Sequence, residues 1–95
     1  MIILGEKFIK NYINKLTIND INNFLLKENI SINSNDINII YIYIKNNFDE
    51  ILKDEVKVLN RVKNDVNKDT YDKILYLYDK YKDKIILFKK MNNLN

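Results

Sequence analysis

Two pairs of adjacent acids, Asp49–Glu50 and Asp54–Glu55, are the residues of this sequence that come nearest to an acid–base centre. Two carboxyl groups can divide the roles of acid and base when their surroundings separate their pKa values. Side chains of adjacent residues on a helix point in different directions, so neither pair is placed to act on one substrate. We therefore interpret both pairs as solvated charges.

Groups that could support other catalytic chemistry are scarce. The sequence has no cysteine and no histidine, which removes the usual zinc, haem and copper ligands and the base of a catalytic triad. Apart from the tyrosines, the hydroxyl groups are those of Thr17, Ser31, Ser34 and Thr70, and three of these four are predicted helix caps. Gly5 is the only glycine, so no glycine-rich phosphate loop is possible. We predict a protein that is not an enzyme and uses no metal or cofactor.

Glu55 falls inside an apolar helical stripe that includes Phe48, Leu52 and Leu59. Two interpretations of this acid remain open. Its carboxylate reaches solvent or pairs with a lysine, such as Lys63 or one on another helix, or it is a functional buried acid. The second interpretation requires a raised pKa and a polar partner, which the sequence does not identify.

The basic residues invite comparison with nucleic-acid-binding proteins, because the pI is about 9.0. The net charge is only +3 and Arg61 is the single arginine among sixteen basic residues, so bidentate contacts to bases or phosphates are lacking. The lysine-rich C-terminal stretch offers candidate weak contacts at Lys82, Lys84, Lys89 and Lys90. These lysines scatter around a helix, and the affinity expected of them is weak and sensitive to salt.

Tyr76 and Leu87 are large residues on the charged side of the last predicted helix, three turns apart. Scattered exposed apolar residues are common, and that remains one interpretation of the pair. An aligned pair with Lys80 and Asp83 between its members would also suit a helix-to-helix contact. We therefore predict Tyr76, Leu87, Lys80 and Asp83 as the candidate partner contact.

The sequence as a whole predicts one domain, over residues 1–95. Its 46% apolar content suits a single core and argues against disorder. Ile and Asn each occur seventeen times, and the excess of residues with AT-rich codons indicates an AT-rich genome. The apolar start, Met1–Leu4, is too short for a signal peptide or a membrane span, so we expect a cytoplasmic protein.

Hydrophobic periodicity and helix caps predict an all-α fold. The clearest start signals are Thr17, where Asp20 completes a capping box, and Asn33, or Ser34 one residue later. The predicted fold is a compact five-helix bundle with helices at about 6–16, 17–29, 33–46, 48–66 and 70–90.

The stretch Ile37–Ile44 has seven large apolar residues in eight positions. On a helix these residues would cover nearly every side, which predicts a helix buried almost all round. Their β-branched and aromatic side chains also suit a buried strand, but no other segment reads as a strand that could pair with it. We predict a central helix that contacts at least three others, with Ile40 and Ile44 in the core.

A Lys/Asn-Ile-Asn-x-Leu-Thr phrase includes Ile13, Asn14, Leu16 and Thr17, and an Asn-x-Phe-Asp/Asn phrase includes Asn46, Phe48 and Asp49. With these two phrases, the order of the segments resembles a family of short, functionally uncharacterised helical proteins from low-GC Gram-positive bacteria. The resemblance covers about residues 8–82 and implies an all-helical fold without an established activity. The family's middle helix is rich in small residues, whereas here it is rich in Ile and Tyr.

A second resemblance, over residues 16–46, is to the SAP-type helix–loop–helix module that binds DNA. Those modules carry Gly and Lys before their second helix, whereas the segment SINSND here supplies an acid and no base. We predict a small non-enzymatic helical binding or adaptor protein that acts through protein–protein contacts, with an unknown partner or by self-association. The alternative is a nucleic-acid-associated regulator that uses the lysine-rich C-terminal helix.

Overall fold

The computed structural model describes residues 6–91, and these residues form six α-helices. In chain order the helices are α1 (Glu6–Asn14), α2 (Ile18–Lys27), α3 (Ser34–Asn46), α4 (Phe48–Lys53), α5 (Glu55–Val62) and α6 (Lys68–Met91). None of residues 6–91 lies in a β-strand, so the predicted all-α fold is confirmed. The apolar start at residues 1–4 lies outside the described range, and within that range no helix is long and apolar enough to cross a membrane.

The helix predicted at 48–66 is two helices in the structure, because the helical backbone is interrupted at Asp54. The backbone of Asp54 has φ −156° and ψ 81°, outside the helical region. Its side chain accepts a hydrogen bond of 3.1 Å from the backbone N–H of Lys57, which caps the N-terminus of α5. Helix α5 then ends at Val62 instead of Val66. The bundle therefore has six helices over residues 6–91, where the sequence predicted five.

Local contacts fix both ends of α2. The backbone N–H of Asp20 donates to the Thr17 hydroxyl over 3.1 Å, and that of Thr17 donates to the Asp20 carboxylate over 2.9 Å, as the predicted capping box requires. At the other end, Asn29 has a positive φ of 59°, which asparagine tolerates better than most residues. The backbone N–H of Ile30 donates to the carbonyl of Leu25 over 2.9 Å, so α2 closes with a Schellman motif.

Helix α3 lies at the centre of the bundle and packs against α1, α2 and α4, as predicted. Its Ile37 forms a buried cluster with Ile21 and Leu25 of α2. The prediction that α3 is buried almost all round is wrong, because Ile42 is 53% exposed and Ile40 is only partly buried. The partly buried side chains packed against the cluster are Leu16, Ile30, Ile32, Tyr41, Ile44 and Leu77.

A buried polar contact joins the N-terminus of α3 to that of α6. Asp36 Oδ2 accepts hydrogen bonds from the Thr70 hydroxyl at 2.6 Å, from Asn33 Nδ2 at 2.9 Å and from the backbone N–H of Asn67 at 3.3 Å. The hydrogen bond from Thr70 lowers the pKa of Asp36, burial raises it, and the bonds from Asn33 and Asn67 add to the lowering, which prevails. Asp36 and Thr70 are both buried, so α6 begins at a fixed point of the bundle.

Replacing Thr70 with valine should lower the free energy of unfolding by about 1–2 kcal/mol at pH 7, because the buried Asp36 carboxylate loses a donor while the side-chain volume is kept. Urea unfolding followed by circular dichroism measures the loss. Thr70→Ser is the matched control, since it keeps the hydroxyl and removes only a methyl group. A valine variant as stable as wild type would show that the hydrogen bond contributes nothing to stability.

Candidate interaction face of helix α6

Helix α6 has 24 residues, a length of about 36 Å, and its hydrogen bonds to acidic side chains hold it to the bundle at three places. The first is the bond between Thr70 and Asp36 at its N-terminus. Near its middle, Glu28 at the end of α2 accepts hydrogen bonds from Lys80 Nζ at 2.7 Å and from the Tyr81 hydroxyl. The third lies near the C-terminus, on Glu55 of α5. These contacts determine which side of α6 faces solvent.

Glu55 accepts hydrogen bonds from Lys89 Nζ and, over 3.0 Å, from the Tyr78 hydroxyl. Burial raises the pKa of Glu55, but the bonds from Lys89, from the backbone and from Tyr78 together outweigh it, and the net pKa is lowered. A functional buried acid would need the opposite shift. The structure therefore favours the first of the two interpretations, pairing with a lysine on another helix.

The predicted pair on the opposite side of α6 is open to solvent, with Tyr76 57% exposed and Leu87 58% exposed. Lys80 and Asp83 are exposed between them. Met91, 63% exposed, lies one turn beyond Leu87 on the same side. We call the surface formed by Tyr76, Lys80, Asp83, Leu87 and Met91 the α6 outer face. Sequence reasoning missed Met91 because the predicted helix ended at residue 90.

Lys80 is held in place on this face. Its partner Glu28 is nearly buried, and the hydrogen bonds from Lys80 and then Tyr81 lower the pKa of Glu28 despite its burial. The same contact with Glu28 raises the pKa of Lys80. The Lys80 side chain is still about half exposed, so a fixed positive charge stands beside Asp83 on the outer face.

An apolar groove of about 370 Å³ lies between α1, α2, α3 and α6. The exposed rings of Tyr12 and Phe24 line it, and the Phe24 ring lies 6.1 Å from that of Tyr81 on α6. Sequence reasoning did not identify this groove, because its lining comes from four separate helices. Its remaining lining residues are Ile13, Leu16, Asp20, Ile21, Leu25, Ile32, Ile40, Ile44, Ile74 and Leu77.

The four lysines considered for nucleic-acid contact have different surroundings. Lys89 is buried against Glu55, which leaves it poorly placed to meet a phosphate. Lys82 lies 3.1 Å from Asp79, and the Lys84 ammonium stands 5.6 Å from the centre of the Tyr81 ring. Lys90 is exposed.

Fold and surface together define a small all-α protein with an exposed apolar and charged helix face. Comparisons of this chain with protein-family models, curated proteins and solved structures found no match. Among residues 6–91, no group of three or more acids is arranged to hold a metal ion.

Proposed function

We propose that this protein is a small non-enzymatic helical binding protein that acts through protein–protein contacts made by the α6 outer face. One observation carries the proposal. Three large apolar side chains, those of Tyr76, Leu87 and Met91, are each more than half exposed along one side of a single helix. The row spans about 23 Å at the helical rise.

The chemistry of the face is that of a protein contact. Tyrosine and methionine are enriched at protein interfaces, and aromatic anchors contribute a large share of binding energy. The charged pair Lys80 and Asp83 between the apolar ends can set the register of a partner helix. The polar contacts on the other side of α6 fix this face before binding, so little ordering free energy is lost when a partner docks.

The double variant Tyr76→Ser/Leu87→Lys should lose partner binding while keeping its melting temperature, because both side chains are exposed and exposed substitutions usually change stability by no more than about 0.5 kcal/mol. Binding is measured by capture on the immobilised protein from an extract of cells that produce it, followed by quantification of each captured protein.

The matched control is Leu26→Ser/Ile42→Lys, which removes two exposed apolar side chains from α2 and α3. Proteins retained by wild type and by the control, but lost with the α6 variant, support the proposal. Equal loss with both double variants would show that the contact is not specific to the α6 outer face and would contradict it.

A further inference from the structure

We infer that the α6 outer face docks onto the same face of a second copy of this chain, with the two α6 helices antiparallel. This inference rests on the proposed function and names its partner. The two-fold axis would pass between the two α6 helices, at the level between Tyr81 and Lys82.

The order of residues on the face fits its own reversed copy. In an antiparallel pair, residues at equal distances on either side of the axis come to the same level. Tyr76 and Leu87 are equally far from the axis, and so are Lys80 and Asp83. Tyr76 of one copy therefore lies beside Leu87 of the other, and Lys80 lies beside Asp83. Symmetry makes each of these contacts twice.

The charges select this arrangement over a parallel one. About a two-fold axis along the helices, each residue would meet its own copy, so Lys80 would face Lys80 and Asp83 would face Asp83, which is repulsive. The antiparallel pair replaces both like-charge contacts with opposite-charge contacts. Lys80 can serve both partners, because its ammonium has three donors and the bond to Glu28 Oε1 uses one.

The area of the α6 outer face determines how strong a dimer we expect. A strip about 30 Å long and one helix wide, about 10 Å, covers far less than the ~800 Å² per partner of a standard interface. We therefore expect a weak dimer that is populated at high protein concentration and dissociates on dilution.

Because the sequence has no cysteine, a thiol introduced for cross-linking is the only thiol in the chain. Asp72 and Met91 are also equally far from the axis, about 28 Å apart along one helix. The antiparallel dimer brings Asp72 of one copy near Met91 of the other. A mixture of Asp72→Cys and Met91→Cys chains, treated with a short bismaleimide at high protein concentration, should give about tenfold more cross-linked dimer than either variant alone.

Two controls test the site and the charges. Val56→Cys places a thiol at an exposed position of α5 outside the outer face, and its mixture with Asp72→Cys should give only background. Adding Asp83→Lys to both cysteine variants puts a like charge opposite Lys80 and should reduce the cross-linked dimer about tenfold.

Equal cross-linking in each single variant would overturn the antiparallel register. A monomeric wild-type profile in sedimentation at about 1 mM, with no cross-link in the mixture, would overturn the second copy as partner. In the capture experiment, retention of this chain itself supports both proposals. Retention of other proteins only, together with a monomeric profile, supports the proposed function and overturns the second copy as partner.

Discussion

Replacing Ile37 with aspartate is expected to unfold the protein. Ile37 is only 7% exposed and packs with Ile21 and Leu25 at the point where α2 meets α3. The substitution removes apolar contacts and places a carboxylate where it has no counter-charge, a loss of about 3–5 kcal/mol. Because small domains are only marginally stable, we expect Ile37→Asp to lose the helical signal in far-ultraviolet circular dichroism at 25 °C and pH 7.

The same change at Ile42 is the matched control. Ile42 is on the same helix but 53% exposed, so Ile42→Asp should leave the protein folded and cost less than about 1 kcal/mol. Ile40→Asp should fall between the two, because Ile40 is partly buried along the apolar groove. Equal losses of unfolding free energy in Ile37→Asp and Ile42→Asp would contradict the conclusion that α3 is buried on one side only.

Features that depend on nearby residues could be predicted from the sequence. The capping box of α2 joins Thr17 and Asp20, three residues apart, and needs no tertiary contact to form. The break at Asp54 escaped prediction because the apolar stripe runs on from Leu52 to Val62 as if one helix continued. An aspartate can cap a helix or sit within one, and the apolar pattern does not show which.

The candidate site likewise has features that could be predicted from the sequence and features that could not. Helical periodicity placed Tyr76 and Leu87 on one side of α6, and the structure exposes both. The pairing of Glu55 with Lys89 could not be predicted, because 34 residues separate them and only the packing of α6 against α5 brings them together. Lys89, which the sequence places among lysines scattered around a helix, is therefore a buried partner of an acid.

Replacing Lys89 with methionine should cost about 2–4 kcal/mol at neutral pH, since the variant keeps the volume of the side chain but leaves the Glu55 carboxylate without its cation. Lys82→Met is the control: Lys82 pairs with Asp79 at an exposed position, and its loss should change stability by no more than about 0.5 kcal/mol. Urea unfolding of both variants at pH 7 measures the difference.

The pH dependence of the unfolding free energy tests whether the unpaired charge of Glu55 causes the loss of stability in Lys89→Met. In the wild type the pKa of Glu55 lies below its ordinary value of 4.5, so its stabilising effect is complete above pH 4.5 and is lost as pH falls through the lower folded value.

In Lys89→Met, burial acts with less opposition, the pKa of Glu55 should rise above 4.5, and the charged form then destabilises the fold at neutral pH. The gap in unfolding free energy between variant and wild type should therefore be largest near pH 7. It should begin to narrow as pH falls through the raised pKa of Glu55 in the variant, and narrow further as pH falls through the lowered pKa of Glu55 in the wild type. Adding Glu55→Gln to Lys89→Met removes the unpaired charge and should recover part of the loss. A gap independent of pH, with no recovery in the double variant, would mean that Lys89 acts through packing of its stem and not through its charge.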